Sequence, residues 1–154
     1  MSTSETLTQE FPPTTPGHVM TTYPFIERAG LELLHAERGR VVLRLPFAPN
    51  TNHVGTVYAG ALFTVAEVPG GALFLGAFDV SRFYPIVGDL AIRFRKPATT
   101  SVLVDARMSD DEIGRVTSDL EAAGKAKWVL SQEIVDERGA VVATTEATYF
   151  GLSY

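Results

Sequence analysis

The sequence predicts an α+β domain in which a curled antiparallel β-sheet wraps around one long central α-helix. Three observations predict it. The run Asn52–Phe78, NHVGTVYAGALFTVAEVPGGALFLGAF, is apolar or small almost throughout from Val54 on, and Glu67 is its only charged side chain. A helix that is apolar all round is one wrapped by the rest of a fold. Around it lie six segments in which apolar and polar residues alternate, the period of half-buried strands. Most are joined by short turns that suit antiparallel hairpins. An antiparallel sheet with a helix on one face satisfies all three.

A run of about 20 apolar residues is also long enough to cross a bilayer. Pro69, Gly70 and Gly71 interrupt this one, Glu67 sits inside it, and no basic cluster closely flanks it, so the buried-helix reading is preferred.

Length and composition narrow the function. The chain of 154 residues is sized for one domain with a real core. It has no cysteine, which excludes disulfides and cysteine zinc sites, and its three histidines show no His-x-x-x-His spacing. No metal is expected. The net charge of −5 argues against nucleic-acid binding. The N-terminus lacks the charged-then-apolar pattern of a signal sequence, so a soluble cytoplasmic protein without membrane association is expected.

In chain order, Met1–Pro16 is rich in Ser, Thr and Pro and reads as a mobile leader, with residues 17–154 forming a single domain. Gly17–Ala29 suits a short helix with Phe25 and Ile26 as its apolar contacts and Gly30 as its stop. Leu31–Phe47 alternates as two strands about a turn at Glu37–Gly39. A polar loop, Asn50–Gly55, leads into the central helix, Thr56–Gly76, bent near Pro69. Tyr84–Lys96 is a long strand, with Leu90, Ile92 and Phe94 on one face and Ala91, Arg93 and Arg95 on the other; Val102–Met108 is the next. Ser109 to Glu112 has the form of a capping box and opens a helix, Asp110–Ala123, that Gly124 stops. Lys125–Val135 and Ala140–Gly151 close the chain as a hairpin about Asp136–Gly139.

With these elements in place, the sequence resembles the hotdog-fold acyl-CoA thioesterases, in particular the phenylacetate-type branch and its DUF4442-like relatives. That branch carries an Asn, then six residues later the His of a His-Gly-Gly triplet, then nine residues later an Asp or Glu in the helix. Asn52, Tyr58-Ala59-Gly60 and Glu67 fall at those spacings, within YAGALFTVAE against a family pattern like HGGxLFxLAD. Gly88–Phe94 followed by Lys96-Pro97-Ala98 looks like the family's strand after the helix. The likeness spans roughly Glu32 to Gly151. Two positions depart: Tyr58 replaces the triplet's His, and Val87 replaces a Ser or Thr common before the strand Asp.

The resemblance implies a hotdog fold and an acyl-CoA or acyl-carrier thioesterase, with no cofactor beyond the coenzyme A carried by the substrate. It implies Glu67 as general base or nucleophile, backbone amides at the start of the helix, Ala59 among them, as the oxyanion hole, Asn52 as water holder or loop tie, and Tyr58 as a catalytic candidate at the place of the triplet's His. Arg93, Arg95 and Lys96 form a basic stripe suited to phosphates, and His53, Gly55 and Gly60 lie on the substrate-binding loop and helix start. Each has a plainer reading. Glu67 is a carboxylate held by neighbouring backbone, Asn52 a turn residue, Tyr58 a packed aromatic and His53 a loop residue; the glycines serve close packing and the basic stripe is solvated. Burial should raise the Glu67 pKa. Tyr58 and Glu67, nine residues apart, differ by about 900° and about 13 Å on a helix, so they face opposite sides. A site that uses both ends needs a second, antiparallel helix, as in the family's homodimer or dimer of dimers.

Two other functions stay open. A hydroxyacyl-thioester dehydratase would pair His53 with Glu67, although Val54-Gly55-Thr56 replaces the Pro-containing loop of that branch. A non-catalytic acyl-thioester binder would account for the loss of polar side chains at Tyr58 and Val87.

Overall fold

The computed structural model describes residues 23–154. The expected leader and the first part of the helix expected from Gly17 lie outside the described residues. Helix α1 is Pro24–Ala29, with proline in its first turn and the left-handed Gly30 at its end. Strands β1 (Glu32–Glu37) and β2 (Arg40–Leu45) form the first hairpin, and a 3-10 turn, Ala48–Asn50, follows. Then come α2 (Ala59–Ala77), β3 (Phe83–Phe94), β4 (Val102–Arg107), α3 (Asp110–Ala123), β5 (Lys125–Asp136) and β6 (Val141–Ser153).

The six strands make one antiparallel sheet in the order β1-β2-β4-β5-β6-β3. The sheet curls around α2, which is the hotdog architecture. Both long helices lie on its inner face, where a side chain on Gly151 of β6 would meet Phe74 of α2 and Leu120 of α3 alike. Period-2 burial sets that face: Ala126, Trp128, Leu130, Gln132 and Ile134 of β5 point inward with Ala143, Thr145, Ala147 and Tyr149 of β6. The largest buried rings stack in series, Phe74 on Trp128 at 5.7 Å and Trp128 on Tyr149 at 5.5 Å. The boundaries of α3 match its signals, with Ser109 Oγ accepting the Glu112 N–H at 3.1 Å and Gly124 left-handed at the end.

Three expectations are corrected. Helix α2 begins at Ala59, not Thr56, because the Val57 N–H is drawn to the Ala98 carbonyl and Val57 bridges Thr51 as a strand would. Strand β3 ends at Phe94, although the N–H groups of Arg95 and Lys96 both still reach the Val142 carbonyl. Helix α2 is also not wrapped on all sides. Its length and apolarity suit a membrane span, and most of it is buried on the sheet. Yet Phe63 is 42% exposed, and Gly60, Glu67, Gly71 and Leu75 continue a partly bare stripe at helical spacing.

Candidate active site at the start and middle of the central helix

The loop before α2 is held by its own side chains. Asn52 Oδ1 accepts the N–H groups of Val54 and Thr56, both at 3.0 Å, and its Nδ2 donates to Thr56 Oγ1 at 2.8 Å. The amide of Asn52 is therefore engaged within the loop. Gly55 takes φ 79°, and a side chain there would meet nothing within 4 Å. Left-handed backbone accounts for this glycine, and close packing does not. Asn50 anchors the loop from beneath: it is buried, and its Nδ2 donates to the carbonyls of Ala29 and Pro46, each at 2.8 Å. His53 is exposed on the loop and lines neither of the two depressions described next.

Tyr58 is the N-cap of α2, with extended backbone (φ −61°, ψ 135°), and its carbonyl accepts the N–H groups of Ala61 and Leu62. The N–H groups of Ala59 and Gly60 find no acceptor among the described residues, as is usual for the first turn of a helix. They carry the positive end of the helix dipole.

Two depressions meet this helix. One, of about 350 Å³, brings together Asn52, Thr56, Ala59, Arg95 and Lys96. The other is a groove between α1 and α2. Its wider part, about 440 Å³, holds Glu67 among Tyr23, Phe25, Ile26 and Phe63. It continues past Phe25, Gly60 and Thr64 into about 280 Å³ bordered by Arg28, Asn50 and Tyr58. The Tyr58 ring folds back over Gly60, where an added Cβ would lie 2.5 Å from Tyr58 Cε1. Gly60 thus lets the Tyr58 ring fold over the helix start.

This corrects the rotation argument for Tyr58. Because Tyr58 precedes the helix, 100° per residue does not apply to it, and its ring borders the same groove as Glu67. Ala59, in contrast, opens to the other depression. Within one chain, Glu67 is therefore separated from Asn52, Ala59, Arg95 and Lys96.

The Glu67 carboxylate has no hydrogen-bond or ion-pair partner among the described residues, and burial raises its pKa. Arg95 Nε donates to Thr144 Oγ1 at 3.2 Å, and Lys96 Nζ stands 3.8 Å from Asp136 Oδ2. Arg93 joins Arg95 on the outer face of the sheet, in a hollow that also holds Glu146. Among the described residues, no group of three or more His, Asp or Glu side chains is placed to hold a metal. The wall residues Phe25, Phe63 and Thr64 and the anchor Asn50 were not foreseen as parts of the site. Phe63 and Thr64 stand four and three residues before Glu67 and were findable by helical spacing. Asn50 was not, because its partners are distant backbone carbonyls.

The chain matches the model of a domain of unknown function, DUF4442, over residues 17–150. The chain belongs to the DUF4442 family. A Pseudomonas aeruginosa structure, described as a protein of unknown function and probable thioesterase, is 44% identical, with a TM-score of 0.85, covering 90% of this chain and 93% of that one. A Haemophilus influenzae thioesterase is 11% identical with a TM-score of 0.71, covering 94% of this chain and 93% of its own. A Staphylococcus aureus thioesterase variant is 17% identical with a TM-score of 0.69, covering 83% and 98%. The latter two share the fold with this DUF4442 chain, and at such identities the fold is all they show. No curated protein matches it.

Proposed function

We propose that this DUF4442 protein is a cytoplasmic thioesterase that hydrolyses an acyl-CoA or acyl-carrier thioester at a site shared by two subunits. The observation that carries the reading is Glu67, a carboxylate of raised pKa in an apolar groove with no partner among the described residues, on a helix whose first amides find no acceptor among them. The 44% identical relative described as a probable thioesterase supports it.

In this reading the acyl group lies along the aromatic wall of Phe25 and Phe63. The thioester carbonyl meets the first N–H groups of α2 from the partner subunit, where negative charge develops on its oxygen. Glu67 takes a proton from water as the water oxygen attacks the carbonyl carbon. The C–S bond then breaks, and the sulfur leaves as a thiol with the proton that Glu67 held. Arg95 and Lys96, beside Ala59, meet the carrier's phosphates. In direct attack, a Glu67 oxygen bonds the carbonyl carbon as the C–S bond breaks and the thiolate leaves, giving an anhydride that water then cleaves to free acid and the Glu67 carboxylate.

A binding protein without turnover is the second reading, favoured by Asn52, whose amide is committed to its own loop. One experiment separates the two: thiol release from short, long and aromatic acyl-CoAs by wild type and Glu67→Gln. Hydrolysis predicts a loss of about 10²–10⁴-fold in the variant at unchanged fold. A variant within about threefold of wild type would remove Glu67 from the mechanism. Tight binding of acyl-CoA with no thiol from either protein would establish the binder.

A further inference from the structure

We propose that Tyr149 is the positioning residue for Glu67: its phenol binds the Glu67 carbonyl, two residues before Pro69, and fixes the turn that carries the carboxylate. The inference rests on the thioesterase reading for its kinetic consequence only. Pro69 has no N–H, so the carbonyl of Val65 loses its helical donor, and the turn containing Glu67 is short of one bond. The sheet supplies donors at this place. Tyr149 Oη donates to the Glu67 carbonyl at 2.7 Å, and Gln132 Nε2 donates to the Ala66 carbonyl at 2.8 Å. The Tyr149 ring lies flat against Gly70 of the next turn.

Gly70 is what admits the ring, since a Cβ at that position would overlap Tyr149 directly. The ring has no freedom to follow the helix. It is buried on β6 and stacked on Trp128 at 5.5 Å. A phenol that donates to a helical carbonyl from a fixed place in the core ties that turn of the helix to the sheet. The carboxylate of Glu67 therefore takes its place from β6, across the core, as well as from its neighbours on α2. The groove residues themselves do not hold it, because none of those described bonds to it. The titratable groups that face Glu67 are Tyr149 from β6 and Tyr23 from the segment before α1, with Arg28 in the adjoining part of the groove.

Tyr149→Phe removes the oxygen and keeps the stacking. A displaced catalytic group of this kind costs up to about 10²-fold. We expect kcat for acyl-CoA hydrolysis to fall by at least about tenfold with KM within about twofold, the pattern of an interaction made only in the transition state. A second readout needs no turnover. The side-chain carboxyl of Glu67, followed by carbon NMR in the free protein, should titrate at lower pH in Tyr149→Phe than in wild type, as water enters the loosened turn. Superimposable titrations would overturn the proposal even if neither protein releases thiol, and so would an unchanged kcat in an active enzyme. A third measurement uses wild type alone, which guards against a variant that fails to fold. The Tyr149 hydroxyl proton should exchange slowly enough to be seen by proton NMR, and exchange at the rate of a free phenol would show that it does not hold the Glu67 carbonyl.

Discussion

Glu67 was legible as a residue because it is the single charge in an apolar run, and the structure gives that charge a thermodynamic consequence. Burial raises its pKa above the ordinary 4.5. Between 4.5 and the folded value, the unfolded chain has released its proton while the folded chain still holds one. The native state then binds more protons, so stability falls as pH rises through this interval and levels off above it. Glu67→Gln cannot titrate. Chemical denaturation of both proteins across mildly acid pH should therefore show wild type losing stability relative to the variant as pH increases. A difference independent of pH would mean that the carboxylate is not desolvated. Asn52 and Asn50 mark the limit of reading by residue. Spacing places Asn52 at the site, but nothing in the spacing tells that its amide closes on Thr56 four residues on. Asn50 looks like one more loop polar residue, and only the folded chain brings Ala29 and Pro46 beneath it.

Among the elements, α3 and the strands were the most legible, because their signals are local: a capping box, a terminal glycine and period-2 alternation. The order of strands in the sheet was not, since β3 crosses to the far side of β6 and only packing decides that. Helix α2 was found but read as wrapped, because composition cannot tell an apolar face that meets the sheet from one awaiting another partner. Its Pro69-Gly70 pair reads as a helix breaker by propensity, yet the helix continues through it. Packing explains the glycine, and a pair of substitutions tests this. In an exposed helix, glycine is about 1 kcal/mol worse than alanine. Gly114→Ala in α3, where an added Cβ meets nothing within 4 Å, should therefore raise the urea midpoint. Gly70→Ala has the same propensity gain but drives a methyl group into the Tyr149 ring. Overpacking of that kind costs about 1–3 kcal/mol, so the midpoint should fall. Stabilisation at both positions would show that Tyr149 does not lie against Gly70.

At the scale of the whole molecule, two surfaces are unfinished, and they adjoin. Strand β3 forms one edge of the sheet over 12 residues, and its other side pairs with no strand among those described. Its inner-face side chains Val87 and Phe94 are 40% and 53% exposed. A long apolar edge left open is a template for another chain, and native sheets rarely leave one uncovered. Beside it runs the bare stripe of α2. Both follow if a second copy pairs with β3 in antiparallel fashion, extending the sheet and laying the two α2 helices side by side with opposite sense. A two-fold axis through such a pair uses the same patch on both subunits. It would also place Glu67 of one chain towards Ala59, Arg95 and Lys96 of the other, which lie in a separate depression within one chain. We expect light scattering at micromolar concentration to give at least twice the 16.7 kDa chain mass. Val87→Lys, which puts a charge on the paired edge, should release monomers and abolish turnover together. A sharper test mixes two inactive proteins, Glu67→Gln and a variant damaged only at the α2 start, such as Ala59→Pro, which removes that amide. Random exchange of subunits leaves half of the dimers hybrid, each with one intact site, so about a quarter of wild-type activity should return. A single-chain mass, or a mixture as inactive as its parts, would place the whole reaction within one subunit, where Ala59 and the carboxylate line separate depressions.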